Sequence, residues 1–241
     1  MNMTTPAHLR TMPLHAITEV YGEKGLRDRF DVELGRLPSE DSQRLREVLD
    51  YAARLHEGQR RVREPYLNHL LRVALRILCY YRVSDVEVLT AALLHDSVED
   101  QPWRITGRDE ESGPPPTEEA LKVLADKYGE RVARLVDAVT NPDWDPQRDR
   151  HEQYRAHVAE ALSEEPWARV IKISDFTDNG VGIIHTVGPK VVEGSTKYAP
   201  LVPVLRELVS RSDTPLDDEV KQHIYEQLDL ADERFRAILG N

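Results

Sequence analysis

Apolar positions recur at helical spacing along most of this chain. From Asp41 onward, Leu45, Val48, Leu49, Ala52 and Leu55 fall on one face of a helix that Gly58 ends. Pro65 opens a second helix, with His69, Leu70, Val73, Ala74 and Ile77 on a shared face. Ser84 or Asp85 serves as N-cap to a third, whose run through Leu89, Ala92 and Leu93 carries straight into His95-Asp96. Residues 101–116 are polar and rich in Gly and Pro, which predicts a loop, and Thr117 caps the helix after it. Val132, Leu135, Val136 and Val139 resume the helical period after Gly129, residues 141–147 break it, and Tyr154–Leu162 restores it up to Pro166. A core-like stretch at Val170, Ile171 and Ile173 follows. Residues 183–196 read as irregular, and 198–209 and 217–239 supply the last helices. There is no strand alternation of useful length and no internal repeat. The expected fold is all-α.

Residues 1–38 carry Pro6, Pro13 and Pro38 and show no long period. They read as an extension with one or two short helices. The division this suggests is an N-terminal extension (1–40), a main domain (41–210), and a C-terminal helix (211–241) packed on it.

Composition narrows the partners. The chain has 241 residues, enough for one large domain, and a formal charge of −11 from 32 Lys+Arg against 43 Asp+Glu. That balance argues against nucleic acid or an anionic membrane, though not against a small anion held by local cations. No apolar run approaches the roughly 20 residues of a membrane span, and the first residues lack the apolar core of a secretory signal. Cys79 is the only cysteine, so neither an internal disulfide nor a Cys-rich zinc site can form. A cytoplasmic location is expected; the oligomeric state stays open, with a homodimer as one option.

The chemistry concentrates in AALLHDSVED, residues 91–100. On a continuous helix His95 would align with Glu99, and Asp96 with Glu99 or Asp100. One imidazole and three carboxylates at the end of a buried helix call for a cation. His69 and Asp175, each flanked by apolar residues on a predicted helix, complete a ligand set with His95 and Asp96. Two imidazoles and two carboxylates suit Mn²⁺, Fe²⁺ or Zn²⁺ and leave positions for water and a substrate oxygen. Glu99 and Asp100 lie one turn on, placed to orient or deprotonate that water. A phosphoester fits this chemistry, with Arg60, Arg61 and Arg63 as a clamp.

The order His69, His95-Asp96, Asp175 resembles that of the HD phosphohydrolase superfamily. More closely, HEGQRRVREPYLNHLLRVA (56–74), ALLHDSVED (92–100), YGERVARLVDAVT (128–140), VIKISDFTDN (170–179) and KYAPLV (197–202) are similar to motifs of RelA/SpoT-type guanosine tetraphosphate hydrolase domains, in the same order. The resemblance implies a helical bundle with a metal site between its central helices. By it His69, His95, Asp96 and Asp175 would hold Mn²⁺, and Glu99 and Asp100 would be the catalytic pair. Arg60 would contact substrate, Asn179 would contact the nucleotide, and Tyr198 would lie near the base or ribose. The implied reaction removes the 3′-diphosphate of the alarmone (p)ppGpp, the signal of the stringent response, giving GDP or GTP. With no synthetase or regulatory half in the chain, it reads as a stand-alone small alarmone hydrolase. Departures stand at Leu70, Phe176, Asp178, Gly180-Val181-Gly182 and the long 101–116 loop. They leave other nucleotides open, such as a deoxynucleoside monophosphate or the 2′-phosphate of NADPH, and also a non-catalytic nucleotide sensor.

Overall fold

The computed structural model describes residues 7–108 and 113–240. Thirteen α-helices are found among them: α1 (Leu14–Leu34), α2 (Ser39–Leu55), α3 (Leu67–Cys79), α4 (Val86–Leu94), α5 (Ser97–Asp100), α6 (Pro102–Thr106) and α7 (Thr117–Tyr128), then α8 (Glu130–Val139), α9 (Arg150–Glu164), α10 (Pro166–Asn179), α11 (Lys190–Tyr198), α12 (Val202–Ser210) and α13 (Asp218–Leu239). The described residues contain no strand, only an isolated bridge between Arg60 and Pro65.

The layout follows from which helices are apolar on more than one side. In α4 every residue from Val88 to Leu94 is buried, and α10 is buried from Ala168 to Asp178. Such helices need cover all round, so they lie at the centre. α3 packs on both, α2 and α8 cover α4, and α8, α9, α12 and α13 close around α10. Polar pins fix the register of α3 against α10: Ser174 Oγ donates to the Val73 carbonyl at 2.9 Å, and Arg76 donates to the Ser174 carbonyl at 3.0 Å. The two helices that carry His69 and Asp175 are thereby locked together.

Four expectations are corrected. The segment before Asp41 holds a short 3-10 turn and the 21-residue α1, rather than one or two short helices. Its period is hidden because Gly22, at φ +64°, kinks it and changes the buried face, from Leu14 and Ile17 to Leu26, Phe30 and Leu34. Residues 183–196, expected to be irregular, contain the end of a 3-10 turn (Val181–His185) and most of α11. Part of the 101–116 loop forms α6, while positions 109–112 lie outside the described residues. Thr117 is the first helical residue of α7 and makes no cap; Pro116 precedes it there. Asp85, in contrast, caps α4 by accepting from the backbone N–H groups of Glu87 and Val88.

Candidate metal centre and the cavities beside it

The helix through AALLHDSVED is not continuous. α4 stops at Leu94, His95 and Asp96 form a turn, and α5 begins at Ser97. This break corrects the single-helix alignment of His95 with Glu99, and it turns both His95 and Asp96 toward α3 and α10.

His69, His95 and Asp175 each offer a donor atom within 4.8 Å of the others, and all three are buried. Nε2 of His69 lies 3.2 Å from Asp175 Oδ1 and 3.5 Å from Asp96 Oδ2. Nε2 of His95 lies 3.1 Å from Asp96 Oδ2 and 3.8 Å from Asp175 Oδ1. Three of the four expected ligands thus form one buried group, and Asp96 lies beside both histidines.

The opposite ring nitrogens explain the orientation. Nδ1 of His69 faces Asp178 Oδ2 at 2.8 Å, and Nδ1 of His95 faces the Ala92 carbonyl at 2.8 Å. With Nδ1–H donating in each ring, both Nε2 atoms keep a lone pair and point at the carboxylates. Nε2 of His95 is buried with no hydrogen-bond partner. A buried orphan nitrogen beside two carboxylates is the environment of a cation ligand, since such a group is otherwise costly to bury. Without a cation, protons fill the gap. Burial opposes protonation of His95, but Asp96 and Asp175 outweigh it and lift the imidazole to about 10. Burial likewise opposes ionisation of Asp175, yet Lys172 and the two histidines hold it well below the usual carboxylate range. The residues present fit a divalent metal.

A second ring of residues orients the first, and sequence reasoning passed over most of it. Lys172 Nζ donates to Asp175 Oδ2 at 2.9 Å, and the Tyr66 hydroxyl donates to Asp96 Oδ2 at 2.6 Å. Tyr66 in turn stacks on His56, with centroids 5.0 Å apart. His56 reaches Ser97 and Gln59, and Gln59 donates to Asp100 Oδ2 at 2.7 Å. Asp178 is wholly buried and also receives Arg72 and Arg76. The available signal was position within the quoted motifs: His56 and Gln59 in HEGQ, Tyr66 in PY, Lys172 in VIKISD.

Glu99 and Asp100 diverge. Asp100 lies on the Gln59 side, where desolvation and the charge of Asp96 raise its carboxyl to about 6. Glu99 turns to the other side and accepts from the backbone N–H and side-chain amide of Asn141.

Two cavities flank the cluster. One, of about 370 Å³, lies against α1 and is bordered by His15, Thr18, Arg61, Arg72, Asp178 and Asn179. Arg61 donates to the Asn179 side-chain carbonyl, and the Asn179 amide donates to Asp175 Oδ1 at 2.5 Å. Arg60 is exposed and lies outside this cavity, whereas Arg61 and Arg63, the other two arginines of the expected clamp, line it. The other cavity, of about 780 Å³, is bordered by Glu99, Asn141, Trp144, Tyr154, Lys197 and Tyr198 among others. Tyr198 borders this second cavity and not the one that holds Arg61 and Asn179, with its ring edge-on to Phe176 at 6.0 Å.

Comparison with known proteins agrees with this arrangement. A family model described as "HD domain" matches residues 48–164, which span His69, His95 and Asp96. The chain is 35% identical over 139 residues to the human guanosine-3′,5′-bis(diphosphate) 3′-pyrophosphohydrolase MESH1, covering 56% of this chain and 66% of that protein. The corresponding Drosophila melanogaster protein is 31% identical over 141 residues, covering 57% of this chain and 68% of its own length. An Aquifex aeolicus guanosine-3′,5′-bis(diphosphate) 3′-pyrophosphohydrolase is 30% identical over 160 residues. The chain thus spans just under two thirds of the human relative and only 20% of the Aquifex one. Among solved structures, a metazoan SpoT ortholog described as hydrolysing ppGpp superposes with a TM-score of 0.56 at 25% identity, covering 81% of this chain and 95% of that one.

Proposed function

This chain belongs to the HD-domain family of guanosine-3′,5′-bis(diphosphate) 3′-pyrophosphohydrolases, and from that membership we propose that it is a metal-dependent phosphohydrolase removing the 3′-diphosphate of (p)ppGpp. The products are pyrophosphate and GDP or GTP. The observation that supports the reading is the buried group of His69, His95 and Asp175, with Asp96 Oδ2 3.1 and 3.5 Å from the two Nε2 atoms.

In this reading His69, His95, Asp96 and Asp175 hold the cation, with Mn²⁺ preferred over Fe²⁺ or Zn²⁺. A divalent metal bound there supplies Lewis-acid polarisation of the phosphoryl oxygens and lowers the pKa of water. The protein's own groups do the rest. Tyr66 and Lys172 fix the two carboxylates, so that little reorganisation is needed during reaction. Water must lose a proton as it attacks the phosphorus, and the departing ribose 3′-oxygen must gain one. Asp100, raised to about 6, is matched to moving such protons near neutrality. Glu99 completes the acidic pair on the far side, while Arg61 and Asn179 position the nucleotide, with Tyr198 as a further contact and Arg60 left on the exposed side of its loop. The same reading assigns a small nucleotide substrate and a cytoplasmic location. No helix among the described residues is long and apolar enough to cross a membrane.

The test is a nucleotide panel incubated with Mn²⁺-loaded protein, wild type against Asp96→Ala. Pyrophosphate release from ppGpp, abolished by the substitution, supports the proposal. Turnover confined to a deoxynucleoside monophosphate or NADPH would reassign the substrate and keep the chemistry. Bound metal with no turnover would point to a sensor.

A further inference from the structure

The two cavities beside the ligand cluster differ in how their cations are used. On the α1 side Arg61 and Arg72 already pair with Asp178, and Arg72 also pairs with Glu64. In the larger cavity, Arg150, Lys190 and Lys197 line the wall, and none of the three forms an ion pair with a carboxylate among the described residues. Two carboxylates also border it: Glu99 is engaged by Asn141, and Glu193 forms no ion pair among the described residues.

Lys197 is the nearest of these cations to the chemistry. Its Nζ lies 4.4 Å from the centroid of the buried Tyr154 ring. Nζ of Lys172, which donates to Asp175, lies 5.5 Å from the same centroid. A single aromatic ring thus links the free ammonium to the one that holds a metal ligand. Three cations against two carboxylates leave this wall net positive, against a chain that is acidic as a whole.

We infer that this cavity seats the 3′-diphosphate group, with Lys197 as its principal protein contact, while the rest of the nucleotide extends past the metal toward Arg61 and Asn179. The inference rests on the pyrophosphohydrolase reading and deepens it by giving the two ends of the substrate separate cavities. α11, which carries Lys190 and Lys197, lies outside the matched HD-domain segment.

Equilibrium dialysis of radiolabelled pyrophosphate and of GDP, each at fixed free Mn²⁺, tests this on the full chain. Lys197→Met should weaken pyrophosphate binding about tenfold, the loss of one charge-assisted contact, and leave GDP within about twofold. Lys197→Arg, which keeps the charge over Tyr154, should retain pyrophosphate binding to within about threefold. Weaker GDP binding with pyrophosphate unchanged overturns the assignment, and so does equal weakening of both or no effect on either. Lys197-dependent capture of pyrophosphate by a protein that does not turn over ppGpp would uphold the anion site and retire the pyrophosphohydrolase reading.

Discussion

Asp178 accepts a hydrogen bond from Nδ1 of His69 at 2.8 Å while fully buried. Its other partners, Arg72 Nε at 2.8 Å and Arg76 at 3.2 Å, keep it ionised: burial opposes the charge, but Arg72 and His69 hold the carboxyl well below its ordinary range. A carboxylate behind a ligand histidine fixes the tautomer and raises the basicity of the outward nitrogen. Asp178→Asn keeps an acceptor but removes the charge. Metal affinity is expected to fall roughly 10–100-fold, read as a dissociation constant by competition with a chelating dye. Global stability should also drop, by about 3 kcal/mol, because Arg72 and Arg76 lose their shared counter-charge in the interior. Unchanged metal affinity in a folded Asp178→Asn protein would rule out the orienting role.

Arg61 and Arg60 should separate cleanly. Arg60 pairs with Pro65 in a short extended bridge, and neighbours on extended backbone point to opposite sides. Arg61 is the one carried inward, against Asn179 and over the Tyr66 ring at 5.8 Å. Arg61→Ala is expected to raise KM for the nucleotide tenfold or more, since a charged hydrogen bond contributes about 1.5–3 kcal/mol. Arg60→Ala should stay within about twofold of wild type, the ordinary effect of an exposed cation. Steady-state kinetics of the two variants, side by side, checks both.

Gly22 makes α1 possible in its kinked form. Its φ of +64° and ψ of −153° lie where residues with a side chain are strained, although a Cβ there would meet nothing within 4 Å. Gly22→Ala should therefore cost about 1–3 kcal/mol through backbone strain alone. Urea denaturation would show it as a lower midpoint with an unchanged slope.

The parts of this molecule that could be read from its sequence are those where one physical requirement acts on neighbouring residues. The faces of α2, α3 and α8 follow from apolar spacing, and the candidate metal ligands stand out because His69, His95 and Asp175 are polar groups embedded in apolar runs. What was not legible depends on chain direction in three dimensions. The side to which the loop sends Arg60 and Arg61 is set by the bridge to Pro65, which no local pattern announces. α1 hides its period because the kink divides it into two faces. Lys172 and Asp178 look like ordinary helix-surface charges until α10 is found to be enclosed along its whole length. Lys197 directly follows the stretch 183–196 that reads as irregular, and becomes informative only when α11 sets it beside Tyr154.

His15 on α1 gives a pH signature for the docking of that helix. Its ring stacks on His185 with centroids 4.1 Å apart, and Nε2 lies 3.5 Å from Asp178 Oδ1. Burial lowers its pKa from the ordinary 6.5 to about 3; Asp178 pulls upward, but Arg72, His185 and Arg76 add to the lowering. Because the folded value lies below the unfolded one, the unfolded chain binds more protons between those two pH values. Stability due to the neutral ring is therefore fully present above about pH 6.5 and is lost progressively as pH falls toward 3. The full loss is on the order of a few kcal/mol. His15→Gln removes the titration and keeps a polar group of similar reach. The difference in melting temperature between wild type and this variant should narrow, or change sign, as pH falls from 7 to 4. A difference constant across that range would show that His15 is solvated, and that α1 does not seal the Asp178 side of the site.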